Sequence, residues 1–324
     1  MCTSITCRRG NTYFGRNLDL ELSYGEKVVV TPRNHRFPLK NGQEYRNRYA
    51  LMGMGLAVQD YPLYYEAFNE KGMAMAGLNL PVSAVYQDRK EGMDNITPFE
   101  LIPWILGQAE TVAEARTLLS RLNLLKVPFG PEMPLAPLHF MISDRNESIV
   151  VEPLQEGVRI YDNPYEVMTN EPPFEFQLWN LQQYRHLSPK NSDTAFTTRH
   201  SMQSYAVGMG AVGLPGDASS ISRFVRAAFH LENSDCADTE EACVGQIFHV
   251  LDSVAMVKGA TFTDSGKPDI TVYSCCIDLE ERRYYYKTYD NSQITVLYMD
   301  HADLDGEHLI TYELNRTQQF QEGN

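Results

Sequence analysis

Positive charge is scarce in this chain. Its 28 lysines and arginines are outnumbered by 42 aspartates and glutamates, a net −14 over 324 residues with a sequence pI near 5.0. That balance repels phosphate backbones and anionic lipid, so neither nucleic acid nor membrane is expected as a partner. No stretch approaches 18 uninterrupted apolar residues, which argues against a transmembrane helix. The opening Met1-Cys2-Thr3-Ser4-Ile5 has no basic segment leading into an apolar one, so no signal peptide is read and a cytoplasmic location is expected. The eight histidines show neither H-x-x-x-H nor H-E-x-x-H spacing, and the six cysteines form no C-x-x-C pair. Gly208, Gly210, Gly213 and Gly216 follow no strand that fits a nucleotide-binding G-x-G-x-x-G. No metal and no cofactor are therefore expected. Proline and glycine are scattered and no internal repeat is present, so residues 1–324 read as a single domain.

What is present is an ordinary globular composition, 43% hydrophobic, with strands at both ends and helices between. Cys2 to Cys7 and Thr12 to Leu18 flank Gly10-Asn11, which suits a two-residue hairpin loop. Lys27 to Thr31, Met73 to Leu80, Leu138 to Ser143, Ser148 to Pro153, Asp269 to Asp278, Arg282 to Tyr289 and Gln293 to Met299 read as further strands. Thr111 begins a capped helical stripe running to Leu122, and Phe174 to Leu187 follows Pro172-Pro173 as another helix. Ser219 or Ser220 caps a helix carrying Ile221, Phe224, Val225, Ala228 and Phe229 on one face, and Asp238-Thr239 caps one carrying Val244, Ile247, Phe248 and Leu251. Strands, then helices, then strands without regular βαβ alternation give an α+β fold.

Chemistry centres on Cys2. Removal of Met1 would leave a thiol and a free α-amine on one residue, with ordinary pKa values of about 8.5 and about 7.7 to 8.0. The amine then serves as base for the thiol without a distant histidine. On position alone Cys2 also reads as an incidental small residue, and the other five cysteines read as small buried hydrophobes. With Gly10-Asn11 as the loop, paired positions sum to 21, which sets Cys2 opposite Asp19 and places Arg16 nearby. A carboxylate there would hold the protonated amine, and a cation would lower the thiol pKa. A register one residue away undoes that arrangement. Arg16 and Asp19 read equally well as a solvated ion pair.

Several ordered motifs then carry a resemblance. Met-Cys-Thr at the start, Tyr13-Phe-Gly-Arg-Asn-Leu-Asp19, Asp60-Tyr-Pro-Leu-Tyr-Tyr65, Asn69-Glu-Lys-Gly-Met-Ala-Met-Ala-Gly-Leu-Asn79, Thr169-Asn170-Glu-Pro172, Leu214-Pro-Gly-Asp-Ala-Ser-Ser-Ile-Ser-Arg-Phe224 and Tyr289-Asp-Asn-Ser-Gln293 are similar to those of the bile salt hydrolases. These belong to the choloylglycine hydrolase family of N-terminal-nucleophile enzymes. The resemblance covers essentially the whole chain. It implies a four-layer αββα fold with two stacked antiparallel sheets, Cys2 as nucleophile and its freed amine as base. It also implies Arg16 and Asp19 beside them, Asn79 and Asn170 at the oxyanion hole (one acting mainly through its backbone N–H), and Arg223 completing the polar site. The implied reaction is hydrolysis of glycine- or taurine-conjugated bile salts through a Cys2 thioester, by a homotetramer. A penicillin V acylase is the nearest alternative, against which Asn79 argues, since tyrosine is common there in those acylases. A catalytically silent steroid-binding protein is the alternative of another class.

Burying roughly 300 Å² of steroid is worth about 7 kcal/mol gross. Candidate walls are the loops Leu20 to Glu26, Ala57 to Glu66 and Leu125 to Leu138, with Leu20, Tyr24, Tyr65, Phe129, Met133, Leu135 and Leu138 as the side chains expected to meet it. The last loop reads equally as a lid or as a satellite of the main core. The small, uncharged Ala206-Val207-Gly208 lacks the arginine that related sequences associated with glycine conjugates carry. Taurine conjugates are therefore expected to be accepted at least as well.

Overall fold

The computed structural model describes residues 1–191 and 196–324. It opens with an antiparallel hairpin, β1 (Cys2–Arg9) and β2 (Asn11–Leu20), and continues through β3 (Lys27–Thr31) to a small ribbon of β4 (Arg36–Pro38) and β5 (Glu44–Arg46). β6 (Leu51–Val58), β7 (Tyr61–Asn69) and β8 (Ala74–Asn79) form a meander. β9 (Asp94–Ile96) pairs in parallel with β10 (Leu122–Leu124), and between them lie α1 (Pro98–Leu106) and α2 (Val112–Leu119). A second meander follows, β11 (Leu138–Ser143), β12 (Ser148–Leu154) and β13 (Gly157–Asp162), then β14 (Val167–Met168). The helices α3 (Phe174–Leu181), α4 (Ser220–Glu232) and α5 (Glu240–Asp252) precede β15 (Ile270–Asp278), β16 (Arg283–Thr288), β17 (Asn291–Tyr298) and β18 (Ile310–Tyr312).

Two large sheets result, both antiparallel throughout. One has six strands in the order β14-β1-β2-β15-β16-β17, the other eight in the order β13-β12-β11-β8-β7-β6-β3-β18. Pleat alternation shows how they stack. In β3, Val28 and Val30 join the apolar cluster shared with the first sheet, whereas Val29 joins a second cluster with Leu101, Ile105 and Val112 of α1 and α2. α4 and α5 cover the far side of the six-stranded sheet, where Ile247 and Leu251 close on Gly15. The order helix, sheet, sheet, helix gives the expected α+β architecture in four layers. Among the described residues no helix is long and apolar enough to cross a membrane.

Four local expectations are corrected. Ala57 to Glu66 is no loop: it forms most of the β6–β7 hairpin, turned by Gln59 (φ +51°) and Asp60 (φ +61°) in the left-handed region. The helix after Pro173 ends at Leu181 with a 3₁₀ turn to Tyr184, and the stripe from Thr111 stops at Leu119, leaving Leu122 to begin β10. Cys243, Cys275 and Cys276 are buried, but Cys7 and Cys236 are only half-buried.

Candidate active site

The β1–β2 pairing decides where everything points. Arg9 lies opposite Asn11 and only Gly10 (φ +64°) turns the chain, so paired positions sum to 20 and Cys2 faces Leu18, not Asp19. Gly10 lies in the left-handed region that side chains rarely adopt, and a Cβ there would also meet the exposed Asp238 carboxylate at 2.0 Å, which would have to swing aside. Directly opposed residues share a face. Even positions (Cys2, Ser4, Arg16) therefore look into the space between the sheets, and odd positions (Thr3, Asn17, Asp19) look towards α4 and α5. The one-residue difference brings Arg16 onto the face of Cys2 and takes Asp19 off it.

On the sulfur side, Arg16 Nη2 donates to Cys2 Sγ at 3.3 Å, and Nη1 donates to the Tyr65 carbonyl at 2.6 Å and to Glu66 Oε2 at 3.0 Å. Arg16 is 1% exposed and Asp19 0%, and Arg16 pairs with the buried Glu66 instead, so the solvated Arg16–Asp19 pair does not form. Burial opposes the charge on Arg16, but Cys2, Tyr273 and Glu66 outweigh it and hold its pKa well above the ordinary value. Burial pushes the Glu66 carboxyl up, against Arg16 and the hydroxyls of Tyr273 and Tyr284, each donating at 2.6 Å.

On the backbone side the junction is Asn170, which follows β14. Its Oδ1 accepts from the Cys2 amide nitrogen at 2.8 Å and from Arg223 Nη2 at 2.8 Å, its Nδ2 donates to the Asn79 carbonyl at 2.8 Å, and its N–H donates to Ser220 Oγ at 2.9 Å. Arg223 lies off the apolar stripe of α4 and, read unaided, would face solvent; the structure buries it completely. Its Nη1 donates to the Cys2 carbonyl at 2.5 Å and to Thr3 Oγ1 at 2.7 Å. Ser219 caps α4 by accepting from the Ser222 N–H, which brings Arg223 in one turn behind the cap.

Asp19 is fully buried and accepts from Thr271 Oγ1 at 2.6 Å. Burial pushes its carboxyl up to about 6, against Arg223, the N-terminal charge and Thr271. The Met1 amine donates to the Asp19 backbone carbonyl at 2.7 Å, and the carboxylate nearest that amine is Asp269, at 3.6 Å. Asp269 and Thr271, at the start of β15, are members of this group that sequence reasoning missed. So are Glu66, Tyr273 and Tyr284. A lone acid at Glu66, set among Tyr64, Tyr65, Ala67 and Phe68, was the one available signal.

Asn79 ends β8 with an exposed side chain and reaches the group through its carbonyl. Of the expected apolar contacts, Leu20 and Tyr65 pack on the cluster that contains Cys2. Phe129 and Leu138 pack on the other cluster, where the Phe129 ring lies 5.4 Å from Tyr61 and 5.1 Å from Phe99. Tyr24 is exposed, and Met133 and Leu135 are half-buried. A surface cleft of about 560 Å³, lined by Arg33, His35, Arg36, Asp60 and His308 among others, includes none of the polar group around Cys2.

Residues 2–312 match the profile of the linear amide C–N hydrolases, choloylglycine hydrolase family. A bile salt hydrolase/transferase from Lactiplantibacillus plantarum is 47% identical over 320 residues, 99% of each chain. The crystal structure of a conjugated bile acid hydrolase variant from Clostridium perfringens superposes with a TM-score of 0.92 at 36% identity, covering 100% of both chains. Penicillin V acylase from Agrobacterium tumefaciens shares the fold, with a TM-score of 0.76 at 21% identity over 97% of this chain and 92% of that one.

Proposed function

This chain belongs to the choloylglycine hydrolase family and is an amidohydrolase of the N-terminal-nucleophile fold, and from that premise we propose that it cleaves the amide of glycine- or taurine-conjugated bile salts through a thioester on Cys2. One observation carries the reading: the sulfur and the nitrogen of Cys2 are each held separately, by Arg16 at 3.3 Å and Asn170 at 2.8 Å. Once Met1 is removed, that nitrogen is the α-amine. It takes the thiol proton as the sulfur attacks the amide carbon, and the oxyanion draws on donors at Asn79 and Asn170. Collapse of this intermediate returns the proton to the leaving nitrogen of glycine or taurine. Water then attacks the thioester with the same amine as base, freeing the bile acid and the thiol. Arg223 holds the Cys2 carbonyl and Asn170 in place throughout. Leu20 and Tyr65 supply the wall nearest the sulfur, with Tyr24, Met133 and Leu135 on the rim and Phe129 and Leu138 behind it.

The deciding assay is release of glycine or taurine from conjugated bile salts, run beside penicillin V. Faster turnover of penicillin V would move the chain to the acylase branch, and binding without turnover would make it a steroid-binding protein. We place the chain in the cytoplasm as one folded unit that assembles into tetramers. Phe176, Trp179, Phe196, Tyr205, Val207 and Val212 support assembly, since all are large apolar side chains exposed along one stretch.

A peptide-bonded nitrogen cannot act as the base, so the active species lacks Met1. Intact mass of fully active enzyme is expected to read one methionine short; full activity with Met1 retained would overturn the scheme.

Ala206 and Val207 lie exposed on a segment tied down by Asn191, whose Nδ2 donates to the Ala206 carbonyl at 2.6 Å and whose Oδ1 accepts from the Met209 N–H at 2.8 Å. Without a guanidinium there, kcat/KM for taurocholate is expected to match or exceed that for glycocholate. Exposed ionic contacts are worth about 0–1 kcal/mol, which keeps the preference under roughly tenfold. Replacing Ala206-Val207 with Ser-Arg should move the ratio towards glycine; an unmoved ratio removes this segment from the account.

A further inference from the structure

The hydrolysis scheme uses Arg16 but not the groups behind it. Glu66 of β7 is wholly buried and takes four donors: Arg16 Nη1 and Tyr273 Oη on Oε2, Tyr284 Oη and, more distantly at 3.6 Å, Cys275 Sγ on Oε1. Burial pushes both tyrosines and the Cys275 thiol well above their ordinary values, so all three stay neutral and serve as donors. Among the described residues Glu66 is the only carboxylate bonded to Arg16, and Cys2 is the only other side chain that Arg16 touches through a hydrogen bond. A guanidinium with no water around it needs a counter-charge, and removing that partner alone is costly. While Cys2 is a thiol, Glu66 is that charge. When Cys2 ionises, the same cation stands between two anions.

We propose that Glu66 is a positioning residue that fixes the Arg16 guanidinium against the Cys2 sulfur and, by holding part of its charge, sets the pH range over which the nucleophile ionises. The role rests on Cys2 being the nucleophile. The groups facing this assembly are Arg16 from β2, Tyr65 and Glu66 from β7, Tyr273 and Cys275 from β15, Tyr284 from β16 and Arg223 from α4. Asp19, Asp269 and the Met1 amine lie on the opposite face of the hairpin; once Met1 is gone the α-amine is the Cys2 nitrogen itself, held by Asn170 and titrating beside the thiol in parent and variants alike. Glycine at position 53 of β6 allows the anchoring, because a Cβ there would come within 2.1 Å of the Glu66 carbonyl and displace β7.

The test reads Cys2 directly. Glu66→Gln keeps the shape and removes the charge, so the pH midpoint for iodoacetamide alkylation of Cys2, followed by peptide mass, is expected to fall by about one unit. The acid limb of kcat/KM should move the same way. Glu66→Asp restores the charge on a shorter arm: its midpoint is expected to return towards the parent value while kcat stays depressed more than KM changes. Tyr284→Phe strips one donor and leaves more of the carboxylate charge to Arg16, so its midpoint should rise by a few tenths, the opposite direction. An unmoved or raised midpoint in Glu66→Gln overturns the proposal. If that variant does not fold, an unmoved or lowered midpoint in Tyr284→Phe does so instead. Alkylation needs no substrate, so parent protein that fails to release glycine or taurine sinks the catalytic reading alone and leaves this measurement able to decide.

Discussion

Replacing Cys2 with alanine is expected to lower release of glycine or taurine from conjugated bile salts by at least about 10⁴-fold, since nothing else in the site can form the acyl intermediate. The fold should persist. Cys2 is 4% exposed and contributes one sulfur atom to the cluster between the sheets, so its loss costs about 1 kcal/mol. Arg16 would keep Glu66 and the Tyr65 carbonyl, leaving no stranded charge. Alanine is as small as cysteine, so Met1 removal should proceed and the α-amine should remain. Isothermal titration with an intact conjugate is expected to show binding close to that of the parent. Cys2→Ser should retain slow turnover, because an alcohol is a poorer nucleophile near neutral pH. Turnover by Cys2→Ala within tenfold of the parent would rule out the assignment.

The second large effect is expected at Asn170. Alanine there removes the acceptor that the Cys2 nitrogen and Arg223 share, together with the donor to the Asn79 carbonyl. Arg223 keeps Cys2 O, Thr3 Oγ1 and the Ala218 carbonyl, so the helix stays docked. Arg223 Nη2 is left without that acceptor, at a cost of roughly 1–3 kcal/mol in unfolding free energy. Activity should suffer far more. With the amine unheld and an oxyanion donor lost, kcat is expected to fall by about 10²–10³-fold with a smaller change in KM. Stopped-assay kinetics beside a urea titration separate the two losses. A drop confined to stability, with kcat intact, would remove Asn170 from the reaction.

How much of this was legible beforehand depended on the kind of signal. α4 and α5 showed themselves because their apolar stripes lie on one face and a serine or threonine caps each. α1 did not, because Pro98 and Pro103 disguise it. Pro98 occupies the first turn, where an N–H is not needed, and the Glu100 carboxylate accepts from the Thr97 and Lys40 amides. The β6–β7 hairpin was unreadable for a related reason: its left-handed turn is built from Gln59 and Asp60 rather than the usual Asn-Gly. Motif resemblance singled out six polar positions, which hydrogen bonds and burial gather around the β1–β2 hairpin, yet the local pairing argument set Cys2 opposite the wrong residue. Turn chemistry around Gly10 fits one or two loop residues equally, and the close approach of Asp238, more than 200 positions away, was invisible locally.

That pairing has a consequence for how this enzyme tolerates change in length. β1 and β2 feed one compartment with their even residues and another with their odd ones. A single inserted or deleted residue between Thr3 and Asn17 would exchange the two sets at one end of the hairpin. Sulfur would turn towards the helices, or the guanidinium of Arg16 would leave the space between the sheets, although every chemical group stayed in the chain. In the opening twenty residues the spacing between Cys2 and Arg16 is therefore as tightly constrained as their identities. The exposed stretch around Tyr205 and Val207 belongs to no strand pair, so no such parity binds its length.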